Sequence, residues 1–252
     1  MAGRSRLAPL THRTSTTAPP YLPLVRERGS KWKSIFMIDW TRIDTVLLDM
    51  DGTLLDLHYD NHFWLQHVPL RYAEKHGLSL ATAKDELYPR YRKAEGTLDW
   101  YCVDYWTREL GLDIPQLKEE VDHLIAVHPH VTGFLDALRK LDKRLVLVTN
   151  AHGKTIELKF RLTGLGERID ALVCAHDLGL PKEQPAFWEK MQQVQPFDKN
   201  SALLIDDSLP VLRAARTYGI ARLLAVTNPD SRAPAKDVGD FQAIRSFLDI
   251  MP

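Results

Sequence analysis

The sequence predicts an α/β protein built on a doubly wound parallel sheet, with an inserted domain of helices that we call the cap. Two observations lead to this prediction. Short apolar segments that end in turn signals alternate with segments of helical periodicity, which is the pattern of right-handed β-α-β units. Between the first two apolar segments lie about 70 residues with helical spacing alone. A chain of 252 residues is long enough for one such core with an insertion.

The core is predicted to comprise residues 37–56 and 129–252, and the cap residues 57–128. Val46 to Leu48 is the first predicted strand, because it is part of an apolar run that ends in a turn signal. By the same criterion, further strands are predicted at 145–148, 171–174, 202–205 and 222–226. Apolar residues at helical spacing predict core helices at 131–141, 152–163, 184–194, 209–218 and 241–250. The same spacing predicts cap helices at 58–75, 80–93, 99–110 and 115–127.

Residues 1–36 are predicted to form a disordered basic tail without a chemical role. They carry seven Lys or Arg residues and one acid, Glu27, and they show no sustained helical period. A composition rich in Arg and Ser and poor in acids is also typical of organelle transit peptides. Whether the mature protein keeps this tail therefore stays open.

The overall composition argues against several classes of function. Lys plus Arg and Asp plus Glu number 33 each, so the charge balance favours neither a nucleic acid polymer nor a membrane surface as partner. The two cysteines, Cys102 and Cys174, lack metal-ligand spacing, which indicates a reducing compartment and no thiolate metal site. No apolar stretch reaches the ~20 residues that span a bilayer. We therefore expect a cytoplasmic protein, either a monomer or a homodimer, that acts on a small molecule.

Two carboxylates follow the first predicted strand. Asp49 and Asp51 precede Gly52 and Thr53, and side chains two apart on an extended chain lie on the same side. Two carboxylates at the end of a buried strand are costly unless a cation or a reaction needs them. In parallel sheets, binding sites lie just beyond the carboxyl ends of the strands. The sequence therefore places the active site here.

Polar residues follow three further predicted strands. They are Thr149-Asn150, Lys182 and Asp206-Asp207-Ser208. Taken alone, each has an ordinary alternative: a turn or helix cap for Thr149, a solvated charge for Lys182, and a helix start for the acid pair. Because they lie at successive strand ends in this order, we expect them to converge on the first two carboxylates.

These residue types predict phosphoryl transfer assisted by Mg²⁺. Asp49, Asp206 and Asp207 offer hard oxygen ligands, which suit Mg²⁺, with Mn²⁺ or Co²⁺ as candidate substitutes. A free oxygen of Asp49 is predicted to attack phosphorus and form an aspartyl-phosphate. Asp51 is predicted to protonate the departing oxygen and later to deprotonate the attacking water. The substrate is therefore expected to be a small phosphomonoester.

Four short motifs resemble those of the haloacid dehalogenase-like phosphohydrolases. In order, they are Asp49-Met50-Asp51-Gly52-Thr53, Val148-Thr149-Asn150, Pro181-Lys182 and Ile205-Asp206-Asp207-Ser208. The resemblance implies a Rossmann-like core with a helical cap, with Asp49 as the nucleophile and Asp51 as the acid/base. It also implies a metal held by the Asp49 carboxylate, the Asp51 backbone carbonyl and the acid pair. Which acid of that pair binds the metal directly stays open.

From about Met37 to its end, the chain is also similar to bacterial GMP/IMP nucleotidases. The similar stretches are Ile38-Asp39-Trp40 through Phe63-Trp64, Trp100-Tyr101-Cys102, Asp104-Tyr105-Trp106, Thr149-Asn150-Ala151-His152 and Val226-Thr227-Asn228-Pro229-Asp230-Ser231. This likeness implies a 5′-nucleotidase acting on GMP and IMP. Three alternatives stay open: a phosphatase of sugar phosphates, phosphoglycolate or FMN, a sugar-phosphate mutase, and a non-catalytic binding module.

Substrate contacts are predicted from both domains. Thr149, Asn150 and Lys182 are expected to bind the transferring phosphoryl group and offset its charge. Trp100 and Tyr101 lie near a predicted helix start in the aromatic-rich cap, and one of them could stack on a purine base. The alternative is that the aromatic rings fill the core of the cap.

Overall fold

The computed structural model describes residues 38–252. The predicted tail at 1–36 lies outside the described residues. None of the helices within the described range combines the length and the apolarity that a membrane crossing requires.

Six parallel strands form one sheet in the described part of the chain. They are β1 (Thr45–Leu48), β2 (Arg144–Thr149), β3 (Ala171–Cys174), β4 (Ala202–Asp206), β5 (Arg222–Val226) and β6 (Gln242–Ile244). Their spatial order is β3-β2-β1-β4-β5-β6, and all neighbours are parallel. From β1 the chain adds β2 and β3 on one side of the sheet, and then β4, β5 and β6 on the other side of β1. Such a switch point in strand order, here between β1 and β4, opens a crevice at the carboxyl ends of the strands. The predicted doubly wound parallel sheet is thus confirmed.

The chain between β1 and β2 is helical. Its α-helices are α1 (His58–His62), α2 (Val68–His76), α3 (Leu80–Ala94), α4 (Leu98–Tyr101), α5 (Val103–Leu110) and α6 (Ile114–Glu120). A π-helical turn, Phe63–His67, joins α1 to α2, and a 3₁₀ turn, Asp122–Leu124, follows α6. The helix predicted at 99–110 is wrong in one respect, because the extended backbone of Cys102 separates α4 from α5.

The cap has a hydrophobic cluster of its own. Phe63, Leu87 and Trp106 are among its buried members. The chain leaves the core at Leu55 and returns at Val127, where these two residues form an isolated antiparallel bridge. Two adjacent connections therefore carry the whole cap.

Within residues 38–252, five α-helices accompany the sheet. They are α7 (Val131–Lys140), α8 (Gly153–Thr163), α9 (Ala175–Leu178), α10 (Pro185–Val194) and α11 (Leu209–Tyr218). Four of them lie at predicted positions, and only the short α9 was not predicted. Side chains alternate along β1, so that Val46 and Leu48 join the cluster that contains Phe134 of α7, whereas Leu47 joins the cluster that contains Trp188 of α10. Because both faces are covered, the strands are continuous apolar runs.

The helix predicted at 241–250 is wrong. This segment contains β6 and a 3₁₀ turn, Phe247–Ile250. Phe241, Ile244, Phe247 and Ile250 are all buried and are spaced three apart. That spacing imitates helical periodicity, although the segment pairs with β5 as an edge strand and then turns.

Candidate active site

The carboxyl ends of β1 and β4 bring Asp49 and Asp206 side by side. Leu48 on β1 is in register with Ile205 on β4. The Asp49 backbone N–H donates to the Ile205 carbonyl at 3.0 Å. Both acids are buried, with Asp49 6% exposed and Asp206 0%. Two carboxylates therefore meet at the switch point of the sheet, where water reaches them little.

Lys182 lies between these two carboxylates. Its ammonium donates to Asp49 Oδ1 at 2.6 Å, to Asp206 Oδ2 at 2.8 Å and to the Val148 carbonyl at 3.0 Å. These three bonds use all three donors of the ammonium group. The alternative that Lys182 is a solvated surface charge is therefore wrong, because the residue is 2% exposed and all of its donors have partners.

Burial and charge act against each other in this cluster. Burial raises the pKa of Asp49 and of Asp206 to about 6 each, although the Lys182 ammonium opposes this shift. Burial alone would lower the pKa of Lys182, but the Asp206 and Asp49 carboxylates outweigh it and hold the pKa above its usual value. Lys182 is thus a cation at neutral pH, and its single charge does not neutralise both acids.

Asp207 adds a third carboxylate. Asp49, Asp206 and Asp207 each offer an oxygen, and these oxygens lie within 4.8 Å of one another. Both oxygens of Asp206 have partners, namely Lys182 at Oδ2 and the Ser208 N–H at Oδ1. Asp49 Oδ2, by contrast, is buried and has no hydrogen-bond partner in the described part of the chain. Hard oxygens grouped around an orphaned buried oxygen fit Mg²⁺.

Two neighbours hold Asp207 in place. The Lys236 ammonium donates to Asp207 Oδ2 at 2.9 Å and also to its backbone carbonyl. On the other side, Gly52 has a φ of 86°. A Cβ at Gly52 would lie 2.8 Å from Asp207 Cγ and 3.0 Å from Pro229 Cβ. The glycine that follows the first acid pair is therefore required both by its backbone conformation and by the space that Asp207 occupies.

Asp51 pairs with a buried lysine that lies in none of the four motifs. Lys159 on α8 is 1% exposed and donates to Asp51 Oδ1 and to Asp60 Oδ2, at 2.6 Å in both cases. Asp60 on α1 also accepts from Lys118 of α6 at 3.1 Å. Burial raises the pKa of Asp51 to about 6 in spite of Lys159. This carboxyl is therefore able to hold or release a proton near neutral pH.

The sequence holds a signal for Lys159 and none for Asp60. Lys159 follows the buried Thr155 and Ile156 by four and three residues, so it lies on the inward face of α8. A lysine on such a face is expected only with a partner. Asp60, in contrast, finds its partner 99 residues away in the chain, and no local pattern indicates that contact.

Thr149 and Asn150 end β2 beside the acids. The Thr149 hydroxyl accepts from the Ala151 N–H at 3.0 Å, so this residue has the turn-forming role that the sequence allowed, and it also lines the cavity. Asn150 Oδ1 accepts from the Lys182 N–H at 2.9 Å, and its Nδ2 donates to Glu183 Oε2 at 2.9 Å. Asn150 thus fixes the segment that carries Lys182.

Trp100 and Tyr101 have different surroundings. The Tyr101 hydroxyl donates to Glu183 Oε1 at 2.7 Å and so joins the cap to the core. The ring of Trp100 stacks on Trp64, with 6.2 Å between the ring centroids and 29° between the planes. Trp106 is buried inside the cap cluster, as the alternative for the aromatic residues proposed. Trp64 and Trp100 are therefore the indole groups that border the cavity.

One cavity of about 330 Å³ lies between the cap and the sheet. It is lined by all of the predicted site residues, namely Asp49, Asp51, Trp100, Tyr101, Thr149, Asn150, Lys182, Asp206 and Asp207. The cap adds Asp60, Trp64 and Lys118. A cavity of this size, lined by both charged and aromatic groups, suits a small polar ligand with an apolar ring.

Comparison with known proteins agrees with this geometry. A model of the haloacid dehalogenase-like hydrolase family matches residues 43–219. The chain is 38% identical over 215 residues to the GMP/IMP nucleotidase YrfG of Escherichia coli (strain K12). The aligned region covers 85% of this chain and 97% of that protein. Two solved structures share the fold. A HAD phosphatase from Thermococcus onnurineus has a TM-score of 0.69 at 23% identity and covers 82% of this chain and 95% of its own.

The second structure is CbbY from Rhodobacter sphaeroides, with a TM-score of 0.57 at 18% identity over 81% of this chain and 95% of its own. At this identity the likeness concerns the fold alone. The family match and the Escherichia coli relative, however, cover most of the sequence, including every strand-end motif. This chain belongs to the haloacid dehalogenase-like hydrolase family.

Proposed function

We propose that this protein is a Mg²⁺-dependent phosphatase that hydrolyses purine nucleoside 5′-monophosphates, GMP and IMP, through an aspartyl-phosphate on Asp49. The observation that carries the proposal is the state of the Asp49 carboxylate. Lys182 holds Oδ1 at 2.6 Å, whereas Oδ2 is buried and unpartnered among the described residues. A carboxylate that is fixed at one oxygen and unsatisfied at the other suits a nucleophile beside a metal ion.

The hydrogen bonds of the acids support one choice of metal ligands. Both oxygens of Asp206 already have partners, so its role is to orient Lys182. The side chains of Asp49 and Asp207 and the backbone carbonyl of Asp51 would then hold Mg²⁺, and Mn²⁺ or Co²⁺ would accept the same oxygens. When bound, the ion neutralises the excess negative charge of the acids and of the phosphoryl group.

The chemistry needs two displacements at phosphorus. First, an oxygen of Asp49 bonds to phosphorus while the bond from phosphorus to the nucleoside oxygen breaks. The departing nucleoside oxygen takes the proton of Asp51. Next, water attacks phosphorus, Asp51 takes a proton from the water, and the bond between Asp49 and phosphorus breaks to release phosphate. Thr149 and Lys182 hold the phosphoryl group and offset its charge in both steps.

The preference for a purine nucleotide is supported by two facts. The Escherichia coli relative is a GMP/IMP nucleotidase. In this chain, the residues Trp64 and Trp100 line the same cavity as the acids, and aromatic faces bind nucleobases by stacking. A cavity of about 330 Å³ fits a mononucleotide rather than a nucleic acid polymer.

Phosphate release from a panel of phosphomonoesters with Mg²⁺ tests the proposal. The panel contains GMP, IMP, AMP, ribose 5-phosphate, phosphoglycolate and FMN, and the highest kcat/KM is expected for GMP and IMP. Asp49→Asn should lower kcat by about 10²-fold or more, because it removes the nucleophile. The matched control is Asp44→Asn, an exposed acid just before β1, which should keep the wild-type rate.

Each outcome of this panel bears on one part of the proposal. Equal rates for Asp49→Asn and wild type would rule out the covalent mechanism. A clear preference for FMN or a sugar phosphate would overturn the purine assignment and leave the phosphatase assignment in place. Phosphate release without any bisphosphate activator would exclude the sugar-phosphate mutase.

A further inference from the structure

A line of four charged side chains runs from the cap to Asp51. Lys118 on α6 contacts Asp60 on α1 at 3.1 Å, Asp60 contacts Lys159 on α8 at 2.6 Å, and Lys159 contacts Asp51 at 2.6 Å. The side chains of Lys118 and Lys159 are 4% and 1% exposed. The step from Asp60 to Lys159 crosses from the cap to the core, so this line is a buried ionic connection between the two.

The burial of this connection sets it apart from a surface ion pair. Asp104 of the cap and Lys154 of α8 also form a bridge at 2.6 Å, but both side chains are about half exposed, at 51% and 53%. Exposed pairs of this kind contribute little to stability. Lys159, in contrast, lies 5.1 Å from the centre of the Tyr59 ring, away from water. A buried cation needs its partners, because removing one leaves an uncompensated charge away from water.

Lys159 has one carboxylate partner on each side of the boundary. While the cap covers the site, Asp60 and Asp51 hold the ammonium from two directions at the same distance, 2.6 Å. If the cap moves away, Asp60 moves with it, and Lys159 keeps only Asp51. The orientation of the Asp51 carboxylate therefore depends on the position of the cap. Proton transfer is sensitive to such changes, since a misplacement of about 1 Å can cost about 10²-fold in rate.

We propose that Lys159 and Asp60 are positioning residues that hold the Asp51 carboxylate in place for the leaving oxygen only while the cap covers the site. This inference rests on the proposed role of Asp51 as the acid/base. It assigns the cap a part in the chemical step, beyond shielding the site from water. Transfer of the phosphoryl group to Asp49 is then efficient only for a substrate that allows the cap to close.

A comparison of leaving groups tests this inference. The proton of Asp51 matters for a poor leaving group, such as the nucleoside oxygen of IMP, and little for p-nitrophenolate, which departs without protonation. Because Asp51 also serves the second displacement, which both substrates share, the first displacement is measured alone, as the release of inosine or p-nitrophenol within a single turnover. We expect Asp60→Asn and Lys159→Met to lower this rate for IMP by about 10- to 100-fold. For p-nitrophenyl phosphate the same variants should lower this rate by less than about threefold, as expected for residues that act through the proton given to the leaving oxygen.

The control variant is Lys154→Met, which removes the exposed cap-to-core pair on the same helix and should leave both rates unchanged. Equal losses on the two substrates in Asp60→Asn would overturn the inference, because general damage to the fold or the cap affects both. Asp60→Asn retains the pair between Lys159 and Asp51 but leaves Lys118 without its carboxylate. The double variant Asp60→Asn/Lys118→Met keeps the first pair and removes the unpaired cation, so it provides the test even if a single variant does not fold. A wild-type protein that hydrolyses no phosphomonoester would overturn the proposed function as well, whereas an active wild type with equal losses would overturn only this inference.

Discussion

Asp207→Asn should have opposite effects on the stability of the metal-free protein and of the protein with Mg²⁺. Burial and the Asp49 carboxylate raise the pKa of Asp207 above the usual value of an aspartate in the folded state. A carboxyl whose folded-state pKa is raised lowers stability once the pH rises through that pKa. At neutral pH without metal, the asparagine removes this cost and the repulsion from Asp49. The melting temperature of metal-free Asp207→Asn should therefore exceed that of wild type.

With Mg²⁺ the order should reverse. A ligand at about 100 times its Kd stabilises the folded state by about 2.7 kcal/mol. For a domain of about 150–250 residues, each kcal/mol raises Tm by about 2–4 °C, so Mg²⁺ should raise the wild-type Tm by about 5–11 °C. Asp207→Asn removes one charged oxygen from the three that lie within 4.8 Å of one another. At the same Mg²⁺ concentration, this variant should therefore show little or no rise in Tm.

Thermal unfolding with EDTA, followed by a titration with MgCl₂, measures both effects. Asp240→Asn is the matched control, because Asp240 is 78% exposed and pairs with Arg216 at 2.8 Å on the surface. Its Tm should respond to Mg²⁺ as wild type does. The assignment of Asp207 as a metal ligand is refuted if Asp207→Asn shows the full wild-type rise in Tm.

Two further predictions concern the cap and the buried acids. Tyr101→Phe removes the hydrogen bond to Glu183 (2.7 Å), and a bond to a charged group is worth about 1.5–3 kcal/mol. The closed cap should therefore be less populated, and KM for IMP should rise by about tenfold or more. An unchanged KM would show that this contact does not hold the cap. The pKa values of Asp49 and Asp206, both raised to about 6, predict that Tm of the metal-free protein falls as the pH rises through about 6. A Tm that is constant or rises over this range would contradict the raised pKa values of Asp49 and Asp206.

The strand-end residues could be predicted from the sequence because their signals are local. Asp49, Thr149 and Asp206 each end an apolar run, and parallel strands in register bring their carboxyl ends to one edge. The alternation of apolar and helical segments therefore predicts the sheet, and the sheet brings these strand-end residues together. Lys182 was indicated only by its place after a predicted strand, in order with the other strand ends, since a lysine in a loop carries no burial signal of its own.

Contacts between the cap and the core could not be predicted in this way. Lys159 meets Asp60 across 99 residues, and Tyr101 meets Glu183 across 82. Such pairs form because of the position of the cap on the core, and no periodicity within either segment indicates that position. The same limit applies to the hydroxyl of Tyr101, a candidate for base stacking, because no local pattern indicates its bond to Glu183. At the end of the chain, buried residues three apart imitated a helix where an edge strand and a turn form.

The most direct test of the account is to trap the covalent intermediate on Asp49. Wild-type protein with Mg²⁺ and IMP carrying a radiolabelled phosphate is quenched in acid during turnover, and the labelled peptide is identified by mass spectrometry. The account predicts that the label is bound to Asp49 and that Asp49→Asn carries none under the same conditions. Label on a different residue, or no bound label at any time during rapid release of phosphate, would contradict it.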